Sequence, residues 1–247
     1  MDAIVTDTAT AVDEAIADQT DMAAMVMPGT IDQTSSIDFH TKAGMNLLYG
    51  LKLKTRQGSR GAPGLFTFAY GTNMLINYSH QDDPYADRQL LRVERHLETV
   101  AHCVPPIEEW LVEMLSGSGG ASVPVDVHGS KSPVSKEFRF ANPYSWRALD
   151  YVVQADRIMQ CTLCAMRVGR LERNERDDRV YSCFTAIRKL FEAGTGYEYS
   201  GINREDYVNA TDLAMKIVSR RGDLDPAVLN RETVPKMRPP YAIRFSS

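Results

Sequence analysis

The sequence predicts a mainly α-helical fold that carries a short antiparallel β-ribbon. Three observations support this. Ser36-Ile-Asp-Phe-His-Thr41 alternates polar and apolar residues as a half-buried strand does. Lys136-Glu-Phe-Arg-Phe140 repeats that alternation in the second half of the chain. Each stretch precedes two helical patterns separated by a loop, so residues 35–79 and 134–194 form two strand-helix-helix units. Strands 36–41 and 136–140 are expected to pair, within one chain or across a dimer, with Ile37, Phe39, Phe138 and Phe140 seating the ribbon on the helices.

The elements follow in order. Residues 1–34 are acidic, rich in Ala and Thr and poor in aromatics. They are expected to form a largely disordered arm with a transient helix over Thr10–Met25, either a solubilising tail or a competitor for a basic face. After the first strand, a helix is expected through Met45, Leu47, Leu48 and Leu51. A Gly-rich basic loop, Gln57-Gly-Ser-Arg-Gly-Ala-Pro-Gly64, leads to a helix over Leu65–Tyr78. Asp83-Pro84 opens a long helix, with Asp83 as N-cap, Pro84 at its first position, and Leu90, Val93, Leu97 and Val100 as its buried stripe. Pro105-Pro106 is expected to stop it before a shorter helix with Trp110, Leu111 and Met114.

Ser116-Gly-Ser-Gly-Gly120 suggests a flexible connector over 119–133, dividing 35–118 from 134–247. In the second half, Asn142-Pro143 makes a turn and Ser145 caps a helix from about Trp146 to Val168. A charged loop over Arg170–Asp178 precedes a helix at Arg179–Ala193. Asn203 caps a helix over Arg204–Arg221, and Asp225-Pro226 opens a short one. The tail carries Lys236, Arg238 and Arg244.

The net charge of −4 hides an uneven distribution. Eight acids and no Lys or Arg lie in residues 1–38, so the remainder has 28 basic and 24 acidic residues and carries +4. Residues 39–81 hold no acid, against Lys42, Lys52, Lys54, Arg56 and Arg60. Such a patch is either a solvated basic loop or the footprint of a phosphate binder. No apolar run reaches the ~20 residues of a bilayer span, and the start lacks a signal-peptide pattern, so a cytoplasmic location without membrane contact is expected.

Catalytic motifs are missing: there is no P-loop, dinucleotide fingerprint or HExxH. Cys161-Thr-Leu-Cys164 sits mid-helix without a second CxxC, which reads as packed thiols rather than a zinc or redox site. His40, His80, His96, His102 and His128 are dispersed. No enzyme, metal, cofactor or small-molecule substrate is expected.

Asp82-Asp-Pro-Tyr-Ala-Asp87 with Leu90, Leu91 and Glu94, Phe140-Ala-Asn-Pro-Tyr144, and Tyr197-Glu-Tyr-Ser-Gly-Ile-Asn-Arg-Glu-Asp206 occur colinearly. Together they resemble motifs of integrating-conjugative-element proteins related to the AcaB transcriptional regulators, over roughly residues 35–243. The chain departs from the family pattern in its acidic arm, in Trp146, in the CTLC segment and in its tail. The resemblance implies a ribbon-helix-helix-like core with additional helices, binding double-stranded DNA at promoters of transfer genes and activating them. The rival is a helical adaptor of the conjugation apparatus that binds no DNA.

On the DNA-binding reading, the base-reading ribbon comprises Ser36, Asp38, His40, Lys136, Glu137 and Arg139. Arg139 is the strongest candidate because a guanidinium can bridge guanine O6 and N7. Lys42, Lys52, Lys54, Arg56 and Arg60 are the expected phosphate contacts.

Overall fold

The expected ribbon forms within a single chain. β1 (Ser35–Phe39) pairs antiparallel with β4 (Val134–Phe138), placing Ser36 opposite Glu137 and Asp38 opposite Ser135. The computed structural model describes residues 34–55, 58–117, 123–240 and 242–243, and of residues 52–55 and 58–60 only the backbone. The acidic arm, Arg56 and Arg244 lie outside the described residues.

Both strands end earlier than their alternation suggests, and the reason is tertiary. Asp156 is buried, and its carboxylate accepts from His40 N at 2.9 Å, Thr41 N at 3.0 Å and Thr41 Oγ1 at 2.5 Å. That clamp turns the chain out of β1. Thr41 Oγ1 then accepts from Gly44 N and caps α1 (Lys42–Tyr49). A Cβ on Gly44 would collide with the Asp156 carboxylate, so the helix start and the acid lie in direct contact.

Beyond α1 the chain departs from the expected loop. Leu51–Thr55 (β2) and Gly58–Ala62 (β3) pair as an antiparallel hairpin, with Leu53 opposite Arg60. Gly50 ends α1 at φ 81°, and a Cβ there would strike the Ala62 carbonyl. Gly64 faces the same crowding from Gly50 N and Leu48 O, so the two glycines let the feet of the hairpin close. α2 (Leu65–His80) follows.

α3 (Pro84–Ser116) runs unbroken through Pro105 and Pro106, contrary to the expected stop. The loss of helix hydrogen bonds costs roughly 3 kcal/mol per proline. Burial of Val100, Val104, Leu111 and Leu115 on both sides of the pair outweighs it. α3 packs along α2, α4 (Pro143–Arg167) and α6 (Tyr181–Ala193). The N-cap of α4 is Asn142 rather than Ser145: Asn142 Oδ1 accepts from Ser145 N at 2.9 Å, and Pro143 occupies the first turn. Phe140 O accepts from Trp146 Nε1, which removes Phe140 from the strand.

The expected charged loop contains a short helix, α5 (Arg173–Glu175), and a π-helical turn over Arg176–Val180. Asn203 caps α7 (Arg204–Val208) with a capping box. The predicted single helix breaks there, because Thr211 caps a new one, α8 (Asp212–Arg221), and Ala210 takes φ 50°. α9 (Pro226–Leu229) follows Asp225-Pro226 as expected.

Residues 34–247 cluster as one compact unit, so the division at 119–133 belongs to the sequence and not to the fold. Val125 and Val127 pack on the core, and Val125 N donates to Leu115 O at 2.8 Å. Phe39 and Phe138 are 2% and 1% exposed and meet edge to face at 6.0 Å, so the ribbon is seated in the same core.

Asp156→Ala should lower the unfolding free energy by about 2–4 kcal/mol, because three donors at the β1–α1 corner lose their acceptor. Urea denaturation of the two proteins checks this.

Candidate nucleic-acid interface

Two short ribbons meet at one place on the helical body. Tyr49 and Phe66 flank the β2–β3 hairpin and lie 5.5 Å apart. Phe66 stacks on Phe138 of β4 at 6.0 Å, and Lys136 Nζ lies 5.8 Å from the Tyr49 ring centre. The feet of the basic hairpin therefore rest against the strand that pairs with β1.

The outward face of β1–β4 presents Ser36, Asp38, Ser135 and Glu137, all exposed. Ser36 Oγ and Ser135 Oγ are 3.4 Å apart. Arg139 is exposed just past the end of β4. Two of the expected base-reading residues lie elsewhere. Lys136 shares the core-side face with Phe138, as the two-residue period of a strand requires, and is half-buried over Tyr49. His40 lies beyond the end of β1, and its Nδ1 accepts from Ser130 N at 3.0 Å.

Of the expected phosphate contacts, Lys42 is exposed on the first turn of α1. The backbones of Lys52, Lys54 and Arg60 lie in the hairpin, where Lys52 is opposite Gly61 and Lys54 opposite Ser59. Arg56 lies outside the described residues. The outward ribbon face thus carries two carboxylates, and the neighbouring hairpin sequence is wholly basic.

Sequence reasoning missed two features. Leu51-Lys-Leu-Lys-Thr55 alternates as a strand does and was legible as one. Arg92 and Arg95 on α3 and Lys189 on α6 act electrostatically on His96, against the opposing charge of Glu192. Burial first, and those cations next, lower the pKa of its imidazole. Only the i, i+3 spacing of the two arginines hints at this cluster.

The family-like motifs converge in the interior instead. Asp83 Oδ1 caps α3 by accepting from Tyr85 N and Ala86 N, while Oδ2 accepts from Tyr197 OH at 2.7 Å and Ser200 N at 3.1 Å. Arg204 is buried, and its Nη2 donates to Asp87 Oδ2 at 2.6 Å and to Val228 O at 3.1 Å. Nε donates to Leu229 O at 3.0 Å, and Nη1 pairs with Asp82. Tyr144 OH donates to Glu94 Oε1 at 2.9 Å, and that oxygen also accepts from Met237 N. Segments distant in sequence are thereby bound to one face of α3.

Burial opposes ionisation of Asp82, yet the Arg231 and Arg204 guanidiniums hold its carboxyl below the ordinary range. Burial and the Asp83 carboxylate push the Tyr197 hydroxyl well up, so it stays a donor. Burial likewise raises the thiols of Cys103 and Cys161, and it pushes Cys183 up to about 12. Among the described residues, no group of three or more His, Cys, Asp or Glu side chains could hold a metal. No helix there is long and apolar enough to cross a membrane.

The family described as "Transcriptional regulator AcaB" matches residues 27–242, and the chain belongs to that family. The crystal structure of selenomethionine-containing AcaB from uropathogenic E. coli is similar in fold, with a TM-score of 0.51 at 10% identity. The match covers 83% of this chain and 97% of that one. No curated protein matches the sequence.

Arg204→Ala should destabilise the protein by about 3–5 kcal/mol, since it takes the nearest cation from the buried Asp87 carboxylate and leaves Asp82 to Arg231 alone; thermal and urea unfolding test it. Asp82 should contribute to pH dependence in a definite sense. Its folded pKa is depressed, so its stabilisation is complete above the unfolded value of about 3.9 and is lost as pH falls through the lower folded value. Asp82→Asn should flatten the acid limb of the stability-against-pH curve.

Proposed function

We propose that the chain is a sequence-specific regulator that binds double-stranded DNA and activates conjugative transfer genes. Its DNA-binding core is a ribbon-helix-helix arrangement within one chain, β1–α1–α2 matched by β4–α4–α6. The observation that carries this reading is the β1–β4 register, which joins the two strand-helix-helix units in a single exposed ribbon beside the basic hairpin. A two-stranded ribbon has the width to enter the major groove. Because both strands come from one chain, the ribbon does not require a dimer.

The charges divide the work. Lys52, Lys54, Arg56 and Arg60 of the hairpin sequence supply attraction to phosphates and set the position of the duplex. Arg139 reads guanine, and Ser36, Asp38 and Glu137 read neighbouring base edges, the two acids accepting from cytosine N4. Those same acids repel a misplaced backbone, which favours one docking over others. His40 and Lys136 leave the base-reading set, since both side chains are engaged elsewhere. Action on transfer genes rests on the resemblance of the three motifs to regulators carried by conjugative elements.

Gel shifts on upstream regions of transfer operons, at two salt concentrations, test the proposal. Arg139→Ala should cost about 1–3 kcal/mol on the preferred site and relax its specificity. Lys54→Ala should weaken all sequences alike and reduce the salt slope by about 0.9. Equal loss on preferred and random DNA for Arg139→Ala would remove the ribbon from base reading. No shift on any DNA would favour the helical adaptor.

A further inference from the structure

A groove between α1, α4 and α6 has the makings of a ligand site separate from the ribbons. It encloses about 580 Å³ and is lined by Lys42, Asn46, Leu163, Tyr181, Phe184 and Arg188, among others. No carboxylate lines it. Arg188 is half-buried and makes no hydrogen bond or ion pair with another described residue, and Lys42 likewise has none. A guanidinium partly withdrawn from water without an acid beside it is costly unless an anion completes it.

The other polar groups are also donors or neutral. His40 Nδ1 is occupied by Ser130 N–H, which leaves its Nε2 carrying the proton. Asn46, Thr185 and the Tyr181 hydroxyl add uncharged groups. The remaining wall is apolar: Leu163 and Tyr181 are 55% and 44% exposed, and Met159 and Phe184 lie beside them. Exposure of large apolar side chains next to unpaired cations suits a ligand with a charged end and an apolar, flat body.

We infer that this groove binds a small organic phosphate of nucleotide size, with the phosphate on Lys42 and Arg188 and the base over Leu163 and Tyr181. Two cations match the near-double charge of a phosphate monoester. A bare phosphate would leave the apolar wall uncovered, and a duplex backbone has no apolar body to place there. The volume falls within the range of about 300–1,000 Å³ usual for small-molecule sites. The site uses no residue of the outward ribbon face. It would let a metabolite signal reach α1 and α4, which flank the ribbon.

Isothermal titration of the full chain with adenosine and guanosine 5′-monophosphates, with inorganic phosphate alone, and with a short DNA duplex tests the assignment. A nucleotide should bind at least tenfold more tightly than inorganic phosphate. Arg188→Ala should weaken it by about tenfold or more, the ordinary loss for a charge-assisted hydrogen bond. Leu163→Glu should abolish it, with both variants melting cooperatively like the parent. No nucleotide binding would overturn the inference. So would equal binding of nucleotide and phosphate, or an unchanged affinity in Arg188→Ala. Displacement of nucleotide by the duplex, with DNA affinity lost in Arg188→Ala, would assign the groove to the DNA path and overturn it equally. Gel shifts on the same variants keep this outcome separate from failure of the ribbon to bind DNA.

Discussion

One buried guanidinium ties the C-terminal segments to the start of the long helix α3. Arg204 gives donors to Asp82, Asp87 and two main-chain carbonyls, Val228 and Leu229. A cation withdrawn from water carries a desolvation cost of several kcal/mol, offset only when its partners are complete and well aligned. That completeness is demanding. It requires the start of α3, the start of α7 and the end of α9 in fixed relation, and it leaves Asp83 free to cap α3 and to hold Tyr197 and Ser200. The three colinear sequence motifs thus contribute chiefly to the interior. They form part of the scaffold, and the exposed ribbon residues Ser36, Asp38 and Glu137 lie outside them.

A second acid does for the ribbon what Arg204 does for the C-terminal segments. Asp156 on α4 holds the main chain where β1 becomes α1, so the strand from one half of the sequence is tied to the helix that follows the strand of the other half. The aromatic contacts from Phe39 to Phe138 to Phe66 carry that attachment on to the foot of the hairpin. The basic hairpin and the acidic ribbon face consequently sit beside one another on a rigid base.

Much of the local architecture was legible in the sequence because its signals are local. Asp83-Pro84, Asn203 and Asp225-Pro226 start helices where they were expected to, since a side-chain acceptor three residues or fewer from an unpaired amide acts within one turn. The two ribbon strands were legible from period-two alternation, down to the burial of Phe39 and Phe138. The positions of the candidate site were partly legible: Ser36, Asp38 and Glu137 share the outward face, but His40 and Lys136 were misplaced. His40 is drawn away by Ser130, a contact across ninety residues. The β2–β3 hairpin was misread because Gly58, Gly61 and the following Pro63-Gly64 look like a loop, although Leu51-Lys-Leu-Lys carries the strand period.

Sequence alone determined the class of fold, the strand pairing, most helix starts and the basic character of residues 39–81, because propensity, capping and charge are properties of short stretches. Tertiary structure decided the rest. It carried α3 through two prolines, since burial on both sides of Pro105-Pro106 exceeds the loss of helix hydrogen bonds. It merged two apparent halves into one core and chose which side chains of the ribbon face water. Those outcomes depend on groups far apart in the chain, whose contact energies enter only when the fold has brought them together.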